Sequence, residues 1–445
     1  MSDARPLVTI VGGGVAGIAS ALEHARLGYR VRLLEARTTL GGRAWSKDGV
    51  DNATHVILGC YDAFRRVLRE LGTEDRFYVP PGLRLTWLGE DGTLHRLSAS
   101  ARLGTLGLLA GILGMRSLEL SVRSGLLRAG RIAMRGGAMT GETVSTWLAR
   151  EGVTPRVRGL FFEPLCRAIM NQEPDHACAM LFASTLKIAF TSGARGMALW
   201  APTAAWHEIL GQPALAALRE RGADVRLGTR IDRIDIDEDR IVLHTNDGET
   251  LRDHERVVLA VPWHVAAKLD PDGRFVPSAA AMQSVPMLGL HVALDAADVP
   301  CSDPVIAFEN GQPFHFLCRR PDESGNPQDG VPACLLAGEA FALDGLPRRE
   351  IVELGLAQLA RFTKRMRSWP DHVRATAHVV REARATLAST AGPSAPRPAA
   401  GRTRVPSLHL AGDWTDTGLP STLEGAARSG FASASSRPTD AQPKR

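Results

Sequence analysis

Tyrosine and lysine are the rarities of this chain: 3 of its 445 residues are tyrosine, and arginine supplies nearly all of the 53 basic side chains. So few tyrosines give no sign of an aromatic cage for a cationic ligand. No stretch supplies the roughly 20 consecutive apolar residues that a membrane-spanning helix needs. No basic-then-apolar leader precedes the first strand, so a cytoplasmic location is expected. The six cysteines, Cys60, Cys166, Cys178, Cys301, Cys318 and Cys334, show no CxxC and no metal-ligand spacing. They read as reduced thiols, and no metal is expected. The net charge of +5 is too mild and too scattered to indicate nucleic acid. A hydrophobic content of 44% supports real cores, and the length calls for two interwoven domains. No internal repeat is present.

What the chain does have is concentrated at its start. Residues 7–11 form an apolar run that reads as a buried parallel strand. Gly12-x-Gly14-x-x-Gly17 follows at once and opens a helix from Val15 to Leu27; a second strand, Arg30 to Leu34, then ends on Glu35. Gly12 makes the tight turn, Gly14 lets a pyrophosphate approach the backbone, and Gly17 lets helix and strand pack closely. The helix N-terminus offers unpaired N–H groups to a diphosphate. Glu35, 23 residues after Gly12, stands where a carboxylate accepts ribose hydroxyls. An acid there argues against a 2′-phosphate, which leaves NAD and FAD.

Leu40-Gly41-Gly42-Arg43 would bring another donor to the diphosphate. The pattern resembles the flavoprotein superfamily of amine oxidases, phytoene desaturases and squalene-associated desaturases, and that resemblance implies FAD. A second signature lies near the other end. Residues 408–415, LHLAGDWT, read as a buried strand ending in a polar turn, and residues 419–430, LPSTLEGAARSG, as a loop feeding a helix. By the same resemblance Gly412 and Asp413 face the cofactor, the Leu423 N–H lies near the flavin O2, and the backbone of Ile231 meets the adenine. A helix end aimed at the flavin would stabilise negative charge on the reduced ring.

The likeness is strongest to the squalene-associated, FAD-dependent hydroxysqualene dehydroxylases. It rests on DNATHVILGCY at 51–61, FFEPL at 161–165, REARAT at 381–386 and the C-terminal signature, and it spans nearly the whole chain. Ala53-Thr54 and the run 192–196, SGARG, depart from the usual pattern. The resemblance implies an α/β protein in which a Rossmann-type FAD-binding domain is interwoven with an α+β substrate domain bearing a helical cap. Residues 1–82, 206–284 and 400–434 would form the FAD-binding domain, and 83–205 and 285–399 the substrate domain. The tail, 435–445, is expected to be disordered.

Between the signatures, residues 223–234 alternate like one strand, and 285–294, 302–317 and 328–340 read as strands of a second sheet. Residues 103–115, LGTLGLLAGILGM, are almost wholly apolar and run into a segment where Arg116, Arg123, Arg128, Arg131 and Arg135 interleave with Leu and Ile. This suits either a core-packed cap or an interfacial segment with arginine stems reaching toward phosphates. The implied reaction is reductive removal of an allylic hydroxyl from hydroxysqualene, giving squalene, on a path to hopanoids in a bacterial cell. A lipophilic isoprenoid substrate, a membrane surface on the cytoplasmic side and the enzyme that supplies the substrate are the expected partners. His55, as imidazolium, is the expected catalytic acid. An oxidative phytoene-type desaturase and a non-catalytic prenyl-lipid carrier are the alternatives.

Overall fold

The computed structural model describes residues 5–237, 240–364, 369–392 and 396–435. The tail beyond Ser435 and part of the proline-rich loop near 393 lie outside them.

A six-stranded sheet carries the nucleotide signatures. Its order in space is Asp224–Leu227, Arg30–Glu35, Leu7–Val11, Arg256–Leu259, Leu408–Leu410 and Gly401–Arg402. All pairings are parallel except the last. Strands buried on both faces need apolar side chains throughout, and Leu7–Val11 is buried at every position. The helix Val15–Arg26 packs against Leu423–Ser433, where the Ser20 and Ser433 hydroxyls meet at 2.8 Å.

A seven-stranded sheet forms the second half, in the order His378–Leu387, Ser284–Val292, Ala333–Gly338, Phe316–Cys318, Val305–Phe308, Gly82–Leu88 and Leu94–Ser100. It is antiparallel apart from the pairing of Val305–Phe308 with Gly82–Leu88. Helices Gly104–Leu113, Leu120–Arg135, Val144–Arg150, Glu163–Met170 and Ala179–Thr191 cap this half. The fully buried Trp147, Phe162 and Phe182 fill the space between them, with Phe162 and Phe182 each edge-on to Trp147.

Two sequence expectations change. Residues 223–234 are two strands in different sheets: Asp224–Leu227 joins the nucleotide sheet, while Ile231–Asp237 starts a separate three-stranded sheet. Gly228, with φ of 73°, makes the turn between them. The run 302–317 is likewise two antiparallel strands, Val305–Phe308 and Phe316–Cys318. Alternating hydrophobicity marks strands but does not show where one sheet is exchanged for another.

The apolar helix Gly104–Leu113 has two apolar faces. Leu108 and Ile112 join the core, whereas Leu106, Leu109 and Leu113 are exposed, with Leu103 and Leu120 beside them. The segment thus packs one face on the core and leaves the other exposed. All six cysteines are free thiols. Among the described residues no helix is long and apolar enough to cross a membrane, and no His, Cys, Asp or Glu cluster could hold a metal ion.

Candidate active site

A single cavity of about 630 Å³ runs from the carboxyl ends of the parallel strands to the face of the second sheet. Ligands of α/β sheets bind at such strand ends. Gly12 follows Leu7–Val11, Glu35 ends the second strand, Ala260 and Val261 follow Arg256–Leu259, and Gly412 follows Leu408–Leu410; all of them line this cavity.

The nucleotide end is made of backbone. Gly12 has φ of 108°, and a Cβ there would lie 2.7 Å from the Ala260 carbonyl oxygen. A Cβ on Gly17 would overlap the Gly12 carbonyl oxygen, so Gly17 packs helix on strand and does not line the cavity. Gly41 donates its N–H to Gly13 O at 2.9 Å, and a Cβ on Gly42 would stand 2.8 Å from the Gly14 Cα. The two glycine motifs thus lie backbone on backbone, leaving the Gly14 and Gly42 surface bare for a ligand. The helix Val15–Arg26 starts with no side-chain cap, so its first N–H groups point free at that surface.

Glu35 is buried and already accepts two backbone N–H groups, from Gly13 at 2.6 Å and Arg37 at 2.8 Å. Its carboxylate therefore braces the glycine turn as well as lining the cavity. Arg43 donates to the Asp413 carboxylate and, at 2.8 Å, to the Ala385 carbonyl. That ion pair ties the N-terminal signature to the C-terminal one, 370 residues apart. Ile231 and Leu423 also stand in the wall.

Sequence reasoning missed three supports. The buried Glu424 carboxylate accepts from the N–H groups of Ala63 and Phe64, at 3.3 and 2.9 Å, and so caps the neighbouring helix Asp62–Leu71. Arg397 donates to the carbonyls of Asp413, Trp414 and Leu419, holding the loop before the last helix. His264 lines the cavity near Arg43 and Arg384; burial, then those guanidiniums, push its ring down to about 4. Glu424 sits inside the C-terminal signature, but its partners, like those of Arg397 and His264, come from other segments that the sequence does not bring together.

The other end of the cavity is built from side chains. Leu85 and Trp87, Phe161 and Leu165, Val305 and Phe316 bring apolar surface from four segments. Where the two ends meet, Asn52, His55 and Glu382 stand in the wall. Glu382 Oε1 accepts from Trp45 Nε1 and from Asn52 Nδ2, both at 3.0 Å. His55 lies edge-on to Trp206 at 5.5 Å, and its Nε2 has no partner. Burial lowers the His55 pKa from its ordinary value, outweighing the upward pull of the Asp51 and Glu382 carboxylates. Burial thus works against the imidazolium form expected of a catalytic acid. It remains a cavity-wall group with an open nitrogen.

Residues 15–436 match the family described as flavin containing amine oxidoreductase. The chain belongs to that family. The glycine cradle, the uncapped N-terminus of the helix Val15–Arg26 and the paired Arg43–Asp413 loops fit its cofactor, and the protein is an FAD-dependent oxidoreductase. Among relatives of this family member, the hydroxysqualene dehydroxylase of Rhodopseudomonas palustris is 27% identical, over 95% of this chain and 96% of that one. The 15-cis-phytoene desaturase of Capsicum annuum is 26% identical, over 96% of this chain and 77% of the relative. Solved structures share the fold: an oxidoreductase from Methanosarcina mazei aligns with a TM-score of 0.69 at 13% identity, covering 96% and 99% of the two chains. A putrescine oxidase bound to putrescine aligns with a TM-score of 0.68 at 14% identity, covering 96% and 97%.

Proposed function

We propose that this flavoprotein removes the allylic hydroxyl of hydroxysqualene reductively, giving squalene and water. The observation that carries the reading is the polar group of Asn52, His55 and Glu382 in the wall of a cavity that also presents the apolar Leu85, Trp87, Phe161 and Leu165. A hydrocarbon alone needs no such cluster, whereas an alcohol does: a buried hydroxyl must be hydrogen-bonded, and its departure needs a proton.

FAD, when bound and reduced, supplies the two electrons and the hydrogen that replace the C–O bond by C–H. The chain's own residues do the rest. Gly12, Gly14, Gly42 and the N–H groups after Gly14 hold the diphosphate, Glu35 stands beside the ribose, and the Arg43–Asp413 pair locks the two loops around the cofactor. The N-terminus of the helix Leu423–Ser433 offers N–H groups that favour negative charge in the reduced state. Leu85, Trp87, Phe161 and Leu165 take up the isoprenoid chain and exclude water, which strengthens every electrostatic contact at the junction. His55 offers its open Nε2 to a hydroxyl.

The exposed stripe of Leu103, Leu106 and Leu120, at 56%, 68% and 73% exposure, lies on the helical cap beside the exposed Arg102, Arg116 and Arg131. Apolar side chains ringed by guanidiniums suit an anionic bilayer surface. The reading therefore places the protein at the membrane periphery, where a C30 substrate dissolves and its producing enzyme works. Flotation with anionic vesicles checks this: replacing Leu106 and Leu120 by Asp releases the protein from vesicles without changing its flavin content.

The likeness to phytoene desaturases favours one other reading, the oxidation of a polyene precursor by the same cavity. Anaerobic mixing separates the two. Dithionite-reduced enzyme should be reoxidised by detergent-dispersed hydroxysqualene, with squalene in the extract. Flavin that stays reduced there, while oxidised enzyme bleaches with phytoene, makes the protein a desaturase. Lipid bound by protein that carries no flavin makes it a carrier.

A further inference from the structure

The dehydroxylation reading requires a proton for the departing oxygen, and the cavity wall restricts where it comes from. Burial disfavours the charged form of His55. Asp413 is tied to Arg43. Asp51, close by, has one carboxylate oxygen taken by Ser46 Oγ and Trp206 N–H and the other by Arg320 at 2.9 Å. Glu35 stands at the nucleotide end with both oxygens bound by backbone N–H groups. Glu382 differs from all of these. Among the described residues it makes no ion pair, Oε1 alone accepts the Trp45 and Asn52 N–H groups, and Oε2 accepts no hydrogen bond. Its strand neighbour is Met287, which lines the same cavity.

The geometry points to Glu382 as the catalytic acid that protonates the leaving hydroxyl, with Trp45 and Asn52 as positioning residues that fix its carboxyl through Oε1. This rests on the dehydroxylation reading. As the allylic C–O bond breaks, its electron pair leaves with the oxygen, which takes the carboxyl proton and departs as water. Reduced FAD, when bound, would supply the hydride that replaces the oxygen on carbon. The Glu382 carboxylate would regain its proton from solvent, so that alcohol, one proton and the anionic reduced cofactor would give hydrocarbon, water and oxidised FAD. A wall built for a saturated or polyene hydrocarbon has no use for this arrangement.

Glu382→Gln keeps an oxygen for Trp45 and Asn52 and removes only the transferable proton. Two measurements on the holoenzyme test the assignment. Infrared difference spectra of the oxidised enzyme, taken as hydroxysqualene binds without turnover, should show a perturbed C=O band of a protonated carboxyl, absent in Glu382→Gln. In anaerobic single turnover, Glu382→Gln should slow flavin reoxidation by the alcohol by about 100-fold or more. The formate ester of the same alcohol, whose leaving group needs no proton, should react with the variant within about threefold of the wild-type rate, a difference of roughly 0.6 kcal/mol. Alcohol turnover unaffected in the variant overturns the assignment, as does an equal loss with alcohol and ester or a carboxyl band that persists in Glu382→Gln. Wild-type enzyme that fails to react with the alcohol overturns the dehydroxylation reading itself, and the assignment with it.

Discussion

The two ends of the cavity are made differently. At the nucleotide end the surface is main chain: glycines too crowded to carry a Cβ, a helix start without a side-chain cap, and loops held by an arginine–aspartate pair. At the lipid end the surface is side chain, drawn from the strand Gly82–Leu88, the helical segment around Phe161 and Leu165, and the strands Val305–Phe308 and Phe316–Cys318. A main-chain surface tolerates almost no substitution at its contact points but says nothing about which oxidation it serves. A side-chain surface tolerates exchange and sets the substrate. The family likeness accordingly identifies the cofactor firmly, and the lipid only through the few polar groups at the junction.

The contrast can be broken first at Gly17. Gly17→Ala puts a methyl onto the Gly12 carbonyl, and main chain cannot move aside as a flexible side chain does. A loss of more than about 4 kcal/mol is expected, seen as insoluble or flavin-free protein. A stable, yellow Gly17→Ala protein contradicts the close packing on which the nucleotide end depends.

Acid should act on both halves. Burial pushes His24, in the nucleotide half, and His291 and His315, in the second sheet, down to about 4. The folded protein refuses protons that the unfolded chain accepts below about 6.5. Stability from these rings is therefore complete above pH 6.5 and is lost as pH falls toward 4, on the order of 3 kcal/mol per ring. Thermal melts from pH 7 to 4 should show a steady fall in Tm, and His291→Asn or His315→Asn should flatten it. A Tm that rises on acidification reverses the assigned sign.

Smaller effects separate the ends by what they spare. Arg43→Ala leaves the buried Asp413 carboxylate without its partner, and the partial exposure of Arg43 moderates the cost. FAD affinity should weaken by roughly 2–3 kcal/mol, measured by flavin fluorescence on dilution. Leu165→Trp adds bulk to the lipid wall: KM for the lipid should rise about tenfold, near 1.4 kcal/mol, with flavin content unchanged. Loss of flavin in Leu165→Trp would mean that the two ends are not separable.

The same contrast explains what the sequence disclosed. The segments 7–43 and 408–430 were legible because local backbone geometry demands glycine at fixed offsets, and a helix must follow a strand there. The Glu424 cap on a helix 360 residues away, the three carbonyls held by Arg397, and the meeting of Asn52 with Glu382 across 330 residues were not legible, since only the folded topology brings them together. His55 shows the limit most plainly. Its position in the cavity wall followed from the likeness, but its charge depends on burial, which no motif records.

The most direct test of the account is isotopic. The transferable hydrogen of a reduced flavin exchanges with solvent, so a single turnover of reduced enzyme with hydroxysqualene in D2O marks the carbon that loses its oxygen. Squalene carrying one deuterium, in an amount equal to the flavin reoxidised, is the expected product. Unlabelled squalene, or a product with an added double bond and flavin left reduced, would contradict the proposal that this cavity replaces an allylic hydroxyl by hydride.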